Sequence, residues 1–419
     1  MFKFQPEEFI VEEIAKDGAV LEIGKPIAHE NEQLKSTNHF FSHFALQKRL
    51  WTTSNAIREV ADRLHITSSR INYAGNKDRN ALTTQLCSAF AVQPQQLLSL
   101  NIKDIKINGA WLANEKVGLG DLAGNRFTIT LTEQNIEKKQ FSKLSAKKIE
   151  GRLKKQNFAI ANYFGEQRFG SARRNTAVVG KLLLQGKFKE AILNYLCYTD
   201  EGERDEGARN ARKRLEKEMN YRDALHYFPH FLKAEKIMLS HLANSPNDFL
   251  GAFRRLHRSL QLLFIHAYQS ELFNKILDQR GKKEKLLKAC AGDYYCEMDS
   301  NGFPDDEKPL KIETKQKAKE VEKLVKGKKA VLLGKIIGYQ TELGKAEGLI
   351  LKKEGIKRED FFLRGTPELS AKGTLRPLFV FLRGFDVKEE GLAGSKKLVL
   401  RFSLTAGSYA TVALKEIIS

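Results

Sequence analysis

The chain has 419 residues, of which 42% are hydrophobic, and a formal net charge of +20 from 71 basic and 51 acidic side chains. Its length exceeds the roughly 100 to 200 residues of a typical domain, so we expect about two or three units. No apolar run approaches the ~20 residues of a membrane span, which predicts a soluble protein with no membrane partner. The dispersed positive charge suits a polyanionic partner, with a lysine-rich solubilising surface as the alternative.

The cysteine and histidine pattern argues against a metal site. The four cysteines form no CxxC pair, and the nine histidines do not cluster with them. The N-terminal run "MFKFQPEEFIVEEI" carries acidic residues where a secretory signal would be apolar. We therefore expect a cytoplasmic protein with free thiols.

The first part of the chain predicts a mixture of strands and helix. Between residues 9 and 90, short alternating runs flank "TTSNAIREVADRLHI", in which Ile57, Val60, Ala61 and Leu64 recur at helical spacing behind the candidate N-cap Ser54. The runs "DIKINGAWLAN" and "NRFTITLTEQ" predict further strands, separated by the glycine turns of "EKVGLGDLAG".

Helical patterns then take over until β-type patterning returns near the C-terminus. The helical stretches are "SAKKIEGRLKKQNF", "NTAVVGKLLLQGKFKEAILNYL", "ERDEGARNARKRLEKEMN" and "FRRLHRSLQLLFIHAYQSELFNKILDQR". The lysine-rich segment 307–330 predicts a solvated surface helix, with a specific RNA contact as the alternative. Alternating runs resume in "LFVFLRGFDV" and "KKLVLRFSLTAGSYATVALKEI". The order predicts an α+β protein in which a helix-rich unit is inserted into a discontinuous domain.

A charged turn between two strand-like runs is the first candidate for chemistry, in "INYAGNKDRNALTTQ" at residues 71–85. Gly75 and Asn76 permit a tight turn, with positive φ as an option, that presents Lys77, Asp78 and Arg79. Cationic neighbours favour an ionised carboxylate, so Asp78 would act as an anionic nucleophile or base. In an isolated turn, however, an aspartate that bonds its own backbone is the commoner arrangement.

The stretch "NYFGEQRFG" at residues 162–170 interleaves aromatic side chains with Gln167 and Arg168. Such side chains can stack on unpaired RNA bases and bond their edges. Alternatively, Tyr163, Phe164 and Phe169 pack as an apolar hinge, and both interpretations can hold together.

Two further stretches, "LAGNRFTITL" and "GSYATVALKE", each predict a turn that leads into a strand. By themselves they make Asn125 a hairpin residue and Tyr409 a half-buried strand aromatic. No P-loop, dinucleotide fingerprint, HExxH or nucleophile elbow is present. The residues alone thus indicate a basic protein of at least two units with one suspect charged turn.

Taken together, the motifs resemble the TruD family of tRNA pseudouridine synthases. They follow the family's order from Pro6 to Glu416 as "PEEFIVEE", "YAGNKDRNALTTQ", "LAGNRFTITL", "NYFGEQRFG" with "RRNTAVVGKLLL", "AYQSELFN" and "RFSLTAGSYATVALKE". The long insert and "HAYQSELFN" resemble archaeal members. The resemblance implies a pseudouridine synthase-like mixed α/β catalytic core at residues 1–170 and, as C-terminal strands, 381–419, with a helix-rich α/β TRUD domain inserted at 171–380.

The reaction that the resemblance implies is isomerisation of a uridine in tRNA, at position 13, to pseudouridine. Asp78 matches the catalytic aspartate, which either adds covalently to the nucleotide or removes a ribose proton to give a glycal. No cofactor and no metal are implied, and we expect a monomer that binds tRNA. The substrate-binding candidates are Phe9, Asn125, Tyr409, Lys3, Lys77, Arg79 and Arg168; among these, Lys77 or Arg79 would orient Asp78.

Two alternatives stay open at this point. One is an RNA-binding or RNA-folding protein that keeps the scaffold without turnover. The other is the same enzyme acting mainly on another RNA, such as a precursor tRNA at its anticodon. Asp78 between Lys77 and Arg79 favours an enzyme, because a pure binder has no need of a buried anion facing phosphate.

Overall fold

The structure, a computed structural model, describes residues 2–36, 40–170, 173–281, 286–305, 307–391 and 396–419. The chain divides into two compact units. Unit 1 comprises Met1–Ile160, Met298–Asp305 and Val380–Ser419, and unit 2 comprises Ala161–Glu297 and Asp306–Phe379. Among the described residues, no helix is long and apolar enough to cross a membrane.

Unit 1 is built around a mixed sheet with helices. Its elements are β1 (Phe9–Ile14), β2 (Phe41–Arg49), α1 (Thr53–Arg63), β3 (Ile71–Tyr73), β4 (Leu82–Phe90), α2 (Pro94–Leu98), β5 (Ile105–Ala113), β6 (Gly124–Leu131), α3 (Lys138–Phe141) and α4 (Ala146–Lys155), then β13 (Arg383–Glu390), β14 (Lys397–Thr405) and α14 (Ala410–Ile418). The short strands β7 (Ala159–Ala161) and β12 (Phe379–Phe381) form a separate two-stranded sheet.

The large sheet of unit 1 has the strand order β13-β14-β6-β1-β4-β2-β5, and β3 also pairs with β4. Strand β1 is parallel to β4 and antiparallel to β6, which places it centrally. Two hydrophobic clusters cover this sheet. One contains Phe44 and Cys87 with residues of α1, and the other contains Phe9, Phe127 and residues of α4 and α14.

Helix α1 confirms the predicted periodicity but not its predicted N-cap. The buried residues of α1 include Ile57, Val60 and Ala61. The helix is capped by Thr52, whose Oγ1 accepts a hydrogen bond from the Asn55 N–H at 3.2 Å. Thr52 has the extended backbone that an N-cap requires, whereas Ser54 already lies inside the helix, so that expectation was wrong.

The strand expected after Tyr409 is a helix. Tyr409 is the N-cap of α14, and Ala410, Ala413, Leu414 and Ile417 are buried along one face. This spacing of i, i+3, i+4 and i+7 is helical, and the segment is rich in helix-forming residues. The β-type pattern therefore ends with β14.

Unit 2 is rich in helices, as the sequence predicted. Its helices are α5 (Thr176–Leu184), α6 (Phe188–Cys197), α7 (Glu206–Glu218), α8 (Tyr221–Tyr227), α9 (Lys233–Asn244), α10 (Phe249–Arg254), α11 (Arg258–Arg280), α12 (Lys315–Lys326) and α13 (Lys345–Glu354). Its strands β8 (Tyr294–Glu297), β9 (Leu310–Lys311), β10 (Ala330–Ile336) and β11 (Thr374–Pro377) form an antiparallel sheet in the order β11-β10-β8-β9. The expected α+β class is confirmed.

Part of the lysine-rich segment 307–330 is the predicted surface helix, α12, whereas Leu310–Lys311 form strand β9. Helix α12 buries Ala318, Val321 and Val325, while its lysines are exposed. Its apolar stripe is narrow, which is why the segment reads as mostly polar.

Candidate active site

One face of the unit 1 sheet carries buried polar side chains between its two hydrophobic clusters. Lys48 on β2 is paired with Thr83 on β4, and Glu13 on β1 is paired with Asn125 on β6. Because paired residues point to the same face, these side chains form a row with Gln85, two positions after Thr83. We call Glu13, Lys48, Thr83, Gln85 and Asn125 the polar seam. All but Asn125 are fully buried, an uncommon environment for polar groups unless they bind partners.

The Asp78 turn, residues 75–80, is fixed to this seam through its backbone. The Gln85 Nε2 donates to the Gly75 carbonyl at 3.1 Å. The Lys77 N–H donates to the Thr53 Oγ1 at 2.9 Å, and this hydroxyl donates in turn to the Gln85 Oε1 at 3.0 Å. Neither Gly75 nor Asn76 adopts positive φ, so the turn does not use the left-handed conformation that glycine would permit.

A buried lysine, Lys48, lies beneath the turn. Its Nζ donates to the carbonyl oxygens of Trp51, Lys77 and Asp78 at 2.8, 3.3 and 2.9 Å. Burial lowers the pKa of Lys48 to about 8, while the negative charge of Asp78 acts to raise it. Within the described residues no carboxylate forms an ion pair with Lys48, so its ammonium is bound to the backbone of the turn.

Sequence reasoning missed Lys48, although a signal was present. In the strand run "HFALQKR", Phe44, Leu46 and Lys48 recur with period two, and the first two are apolar. A lysine at the third inward position of such a strand should be buried. An inward lysine next to a candidate catalytic turn was therefore identifiable from spacing.

Lys77 points into the sheet. Its side chain is buried and forms an ion pair with Glu13, whose other oxygen accepts from the Leu86 N–H at 2.9 Å. Burial raises the pKa of the Glu13 carboxyl, and the ammonium of Lys77 acts in the opposite direction. The charge of Lys77 is thus engaged by Glu13, while its backbone anchors the turn that carries Asp78.

Asp78 itself is exposed rather than buried. Within the described part of the chain, no hydrogen bond or ion pair engages its carboxylate, so the self-bonded polar turn considered from sequence does not form. Arg79 beside it is also exposed. The result is an accessible anion on a backbone that the sheet holds in place, which is the arrangement a nucleophile or base requires.

Several buried polar atoms near the seam lack partners. Within the described residues these atoms are the Asn125 Oδ1, the Thr83 Oγ1 and the Ser408 Oγ. Asn125 is paired with Leu404 of β14, and Ser408 follows that strand in the turn before α14. A buried polar atom without a protein partner costs free energy unless an ordered water or a ligand satisfies it. Ser408 was not a candidate from sequence, although its turn was.

The other predicted site residues of unit 1 occupy different environments. Phe9 is buried, with its ring centroid 5.3 Å from that of Phe4 and 6.2 Å from that of Phe127. Tyr409 is half-buried at the start of α14, and Lys3 is exposed ahead of β1. The sheet register brings Asn125 next to Glu13 and hence to the seam that supports Asp78, whereas Phe9 lies in the hydrophobic cluster.

Arg168 belongs to unit 2 and packs within it. It lies in a 3-10 helix, its Nε donates to the Ser270 Oγ at 3.1 Å, and its guanidinium carbon is 5.7 Å from the Phe164 ring centroid. Phe164 packs edge-on against Phe273 at 5.6 Å. Phe164 therefore packs within unit 2, and base recognition by Arg168 stays a prediction.

Metal-binding geometry is not evident in the described ranges. No group of three or more His, Cys, Asp or Glu side chains there could hold a metal ion. Cys87, Cys197, Cys290 and Cys296 are free thiols.

Fold and site together define an α+β protein with an accessible aspartate on a turn anchored to its sheet. The profile described as "tRNA pseudouridine synthase D (TruD)" matches residues 1–417. The chain therefore belongs to the tRNA pseudouridine synthase D family, as the resemblance indicated.

Individual relatives are similar over most of their length. A protein named Probable tRNA pseudouridine synthase D from Methanosarcina barkeri is 36% identical over 381 residues, covering 88% of this chain and 86% of the relative. One of the same name from Thermococcus sibiricus is 35% identical and covers 99% and 94%. A crystal structure of a Methanosarcina mazei protein assigned to TruD superposes with a TM-score of 0.77 at 33% identity, covering 100% of this chain and 93% of that one. These archaeal matches confirm the expected archaeal likeness.

Proposed function

We propose that this chain isomerises a uridine of tRNA, at position 13, to pseudouridine with Asp78 as the nucleophile. The observation that carries the proposal is the exposed Asp78 carboxylate, which has no partner among the described residues, on a turn held by Lys48, Thr53 and Gln85. Family membership supports the same reaction. In this assignment unit 1 is the catalytic core and unit 2 the inserted TRUD domain.

The isomerisation needs an anion close to the ribose, and it needs no oxidant and no co-substrate. The N1–C1′ bond of uridine breaks, a C5–C1′ bond forms, the C5 proton leaves to solvent and N1 gains a proton. Atoms and electrons balance without an oxidant or co-substrate. Asp78 supplies the anion, either by covalent addition to the nucleotide or by removing a ribose proton to give a glycal.

Lys48 serves this chemistry as a positioning residue. It donates to the carbonyls of Lys77 and Asp78, so it limits movement of the backbone that carries the carboxylate. Catalysis by a single anion depends strongly on such placement, because a small displacement of the reacting atom raises the barrier. The Asp78 carboxylate remains available because Lys48 bonds the backbone and Lys77 bonds Glu13.

The half-buried residues Asn125 and Tyr409 suit recognition of a uracil ring. The Watson–Crick edge of uracil presents one N–H donor between two carbonyl acceptors. Half-buried Asn125 would contact this edge through its side-chain amide. Half-buried Tyr409 would lie against the base. Detached uracil could then be retained while it turns to rejoin the ribose through C5.

The test is tritium release from tRNA transcripts labelled at uridine C5. We compare wild type with Asp78→Asn and with the control Asp62→Asn, which changes an exposed aspartate of α1. Wild type and the control should release tritium, whereas Asp78→Asn should be slower by at least about a thousandfold, since it lacks the nucleophile. Its tRNA affinity should stay within about threefold, because the change is isosteric.

Other outcomes decide among the alternatives. Wild-type turnover by Asp78→Asn would refute the nucleophile. Intact RNA binding with no release from any RNA would favour the non-catalytic binder. Release that persists from a transcript with cytidine at position 13 would point to another uridine, such as one in a precursor tRNA anticodon.

A further inference from the structure

An exposed leucine stands beside the Asp78 turn. Leu119, in the loop between β5 and β6, is 85% exposed and is flanked by Gly118 and Gly120. Single exposed leucines are common on protein surfaces and do not by themselves indicate function. Leu119 differs from other exposed leucines in two respects: hydrogen bonds anchor its loop, and glycines lie in the backbone around it.

The loop is anchored along its length. The Gly120 N–H donates to the Ala74 carbonyl at 2.7 Å, and Ala74 directly precedes the Asp78 turn. The Val117 N–H donates to the Ser88 Oγ at 2.9 Å. Because bonds lie on both sides of Leu119, the backbone that carries its apolar side chain is held next to the turn.

The far end of the loop is anchored as well. The Ala123 N–H donates to the Ile14 carbonyl at 2.9 Å, immediately before Asn125 enters β6. Asp121 accepts from the Gly118 N–H at 2.6 Å and forms an ion pair with Lys16 at 2.7 Å. The loop therefore connects the Asp78 turn on one side with the Asn125 end of the seam on the other.

The backbone near Leu119 lacks side chains at Gly75 and Gly120. A Cβ added at Gly75 or Gly120 would meet no atom within 4 Å apart from its chain neighbours. Gly120 has φ of +93°, which favours glycine, but Gly75 does not have positive φ. The described fold thus has room for a side chain at Gly75, and its absence leaves backbone that a ligand can approach closely.

We infer that Leu119 is an apolar wedge that enters the RNA base stack at the gap left by the extruded uridine, while the bare backbone at Gly75 admits the ribose. This inference rests on the proposed function and extends it to how the substrate is opened. A uridine must leave its stack before Asp78 can reach it, which exposes the apolar faces of the neighbouring bases. A leucine side chain in the gap covers those faces. A protein-docking patch fits less well, because the loop neighbours of Leu119 are glycines and the chain nearby is charged at Glu115 and Lys116.

The test compares Leu119→Ala with the control Leu98→Ala, a change of another exposed leucine of unit 1. Two RNAs are used, the tRNA itself and a tRNA in which abasic sites flank the target uridine so that nothing stacks on it. On the tRNA, kcat/KM of Leu119→Ala should fall roughly tenfold, because the removed carbons contribute binding of about that size when buried. On the abasic tRNA the fall should stay within about twofold, and Leu119→Met should retain activity on both.

An equal loss on both RNAs would make Leu119 a structural residue, and no loss on the tRNA would show that it does not enter the stack. Either result would overturn the wedge.

A second experiment separates failure of the wedge from failure of the proposed function. In it, 2-aminopurine next to the target uridine reports extrusion of the uridine without turnover. In Asp78→Asn its fluorescence should rise on binding, and adding Leu119→Ala should suppress the rise. A fluorescence rise that needs Leu119, with no isomerisation by wild type, would refute the proposed reaction and leave the wedge standing.

Discussion

Replacing Lys48 with methionine removes the ammonium beneath the Asp78 turn and keeps most of the side-chain length. The lost groups are the hydrogen bonds to the carbonyls of Trp51, Lys77 and Asp78 at 2.8, 3.3 and 2.9 Å. Hydrogen bonds to charged groups contribute about 1.5–3 kcal/mol each, but removing the buried charge offsets part of that loss. We expect a net destabilisation of about 2 kcal/mol, well within the stability of an ordinary domain.

The effect on catalysis should exceed the effect on binding. Without Lys48 the backbone at Asp78 can move, and a displacement of about 1 Å at the reacting atom costs on the order of a hundredfold in rate. We expect kcat for tritium release to fall about a hundredfold while KM changes less than about threefold. The matched control is Lys106→Met, which removes an exposed lysine from neighbouring strand β5.

A pH series provides a second readout. The ammonium of Lys48 titrates at about 8 in the folded chain and at about 10.4 when unfolded, so the unfolded state binds the extra proton between those values. Wild-type stability should therefore rise across this pH window relative to Lys48→Met, by up to about 3 kcal/mol. The free energy of unfolding of wild type and of Lys48→Met is measured with denaturant from pH 7 to 10.5. Subtracting one curve from the other removes the contribution of groups that titrate alike in both proteins. The titratable groups that act on Lys48 are Asp78, Lys77 and Cys87.

Wild-type kcat in Lys48→Met would show that Lys48 does not position Asp78. A loss confined to KM would also contradict that positioning role, since that pattern indicates substrate binding by Lys48 itself. Parallel stability curves for the two variants would show that the lysine does not titrate in this window.

Three further predictions concern the seam and the charge. Glu13→Ala should destabilise the chain by about 3–5 kcal/mol in denaturant unfolding, because the Lys77 charge stays buried without its partner. The double variant Glu13→Gln with Lys77→Met should recover much of that loss. Additive effects of the two substitutions would contradict the pairing. Asn125→Ala should lower kcat/KM about tenfold while the unfolding midpoint hardly moves, since its Oδ1 has no partner among the described residues. The tRNA affinity should fall with salt by a slope of about −0.7 to −0.9 per phosphate contacted in a log–log plot, and a flat slope would argue against an RNA-binding surface.

Local patterns predicted much of the fold. Helical periodicity identified α1 and α4, because one apolar stripe per helix is visible in the sequence. In unit 2 it identified α5, α6, α7, α11 and α12, whereas α8, α9 and α13 were not predicted. Motif order identified Asp78 and Asn125 as candidates. The N-cap of α1 was missed, because a cap depends on the backbone conformation of one residue. The helix after Tyr409 was missed although its helical apolar spacing is present in the sequence.

The sequence by itself determined which residue types stand on the Asp78 turn, and the tertiary structure decided where their side chains point. The run Lys77-Asp78-Arg79 suggests two cations beside one anion, but Lys77 pairs with Glu13, 64 positions away in the sequence. Lys48, 30 positions from Asp78, supports the turn instead. Both arrangements follow from strand register, which places distant residues on one face of the sheet, and register depends on pairing across the whole sheet rather than on any local stretch.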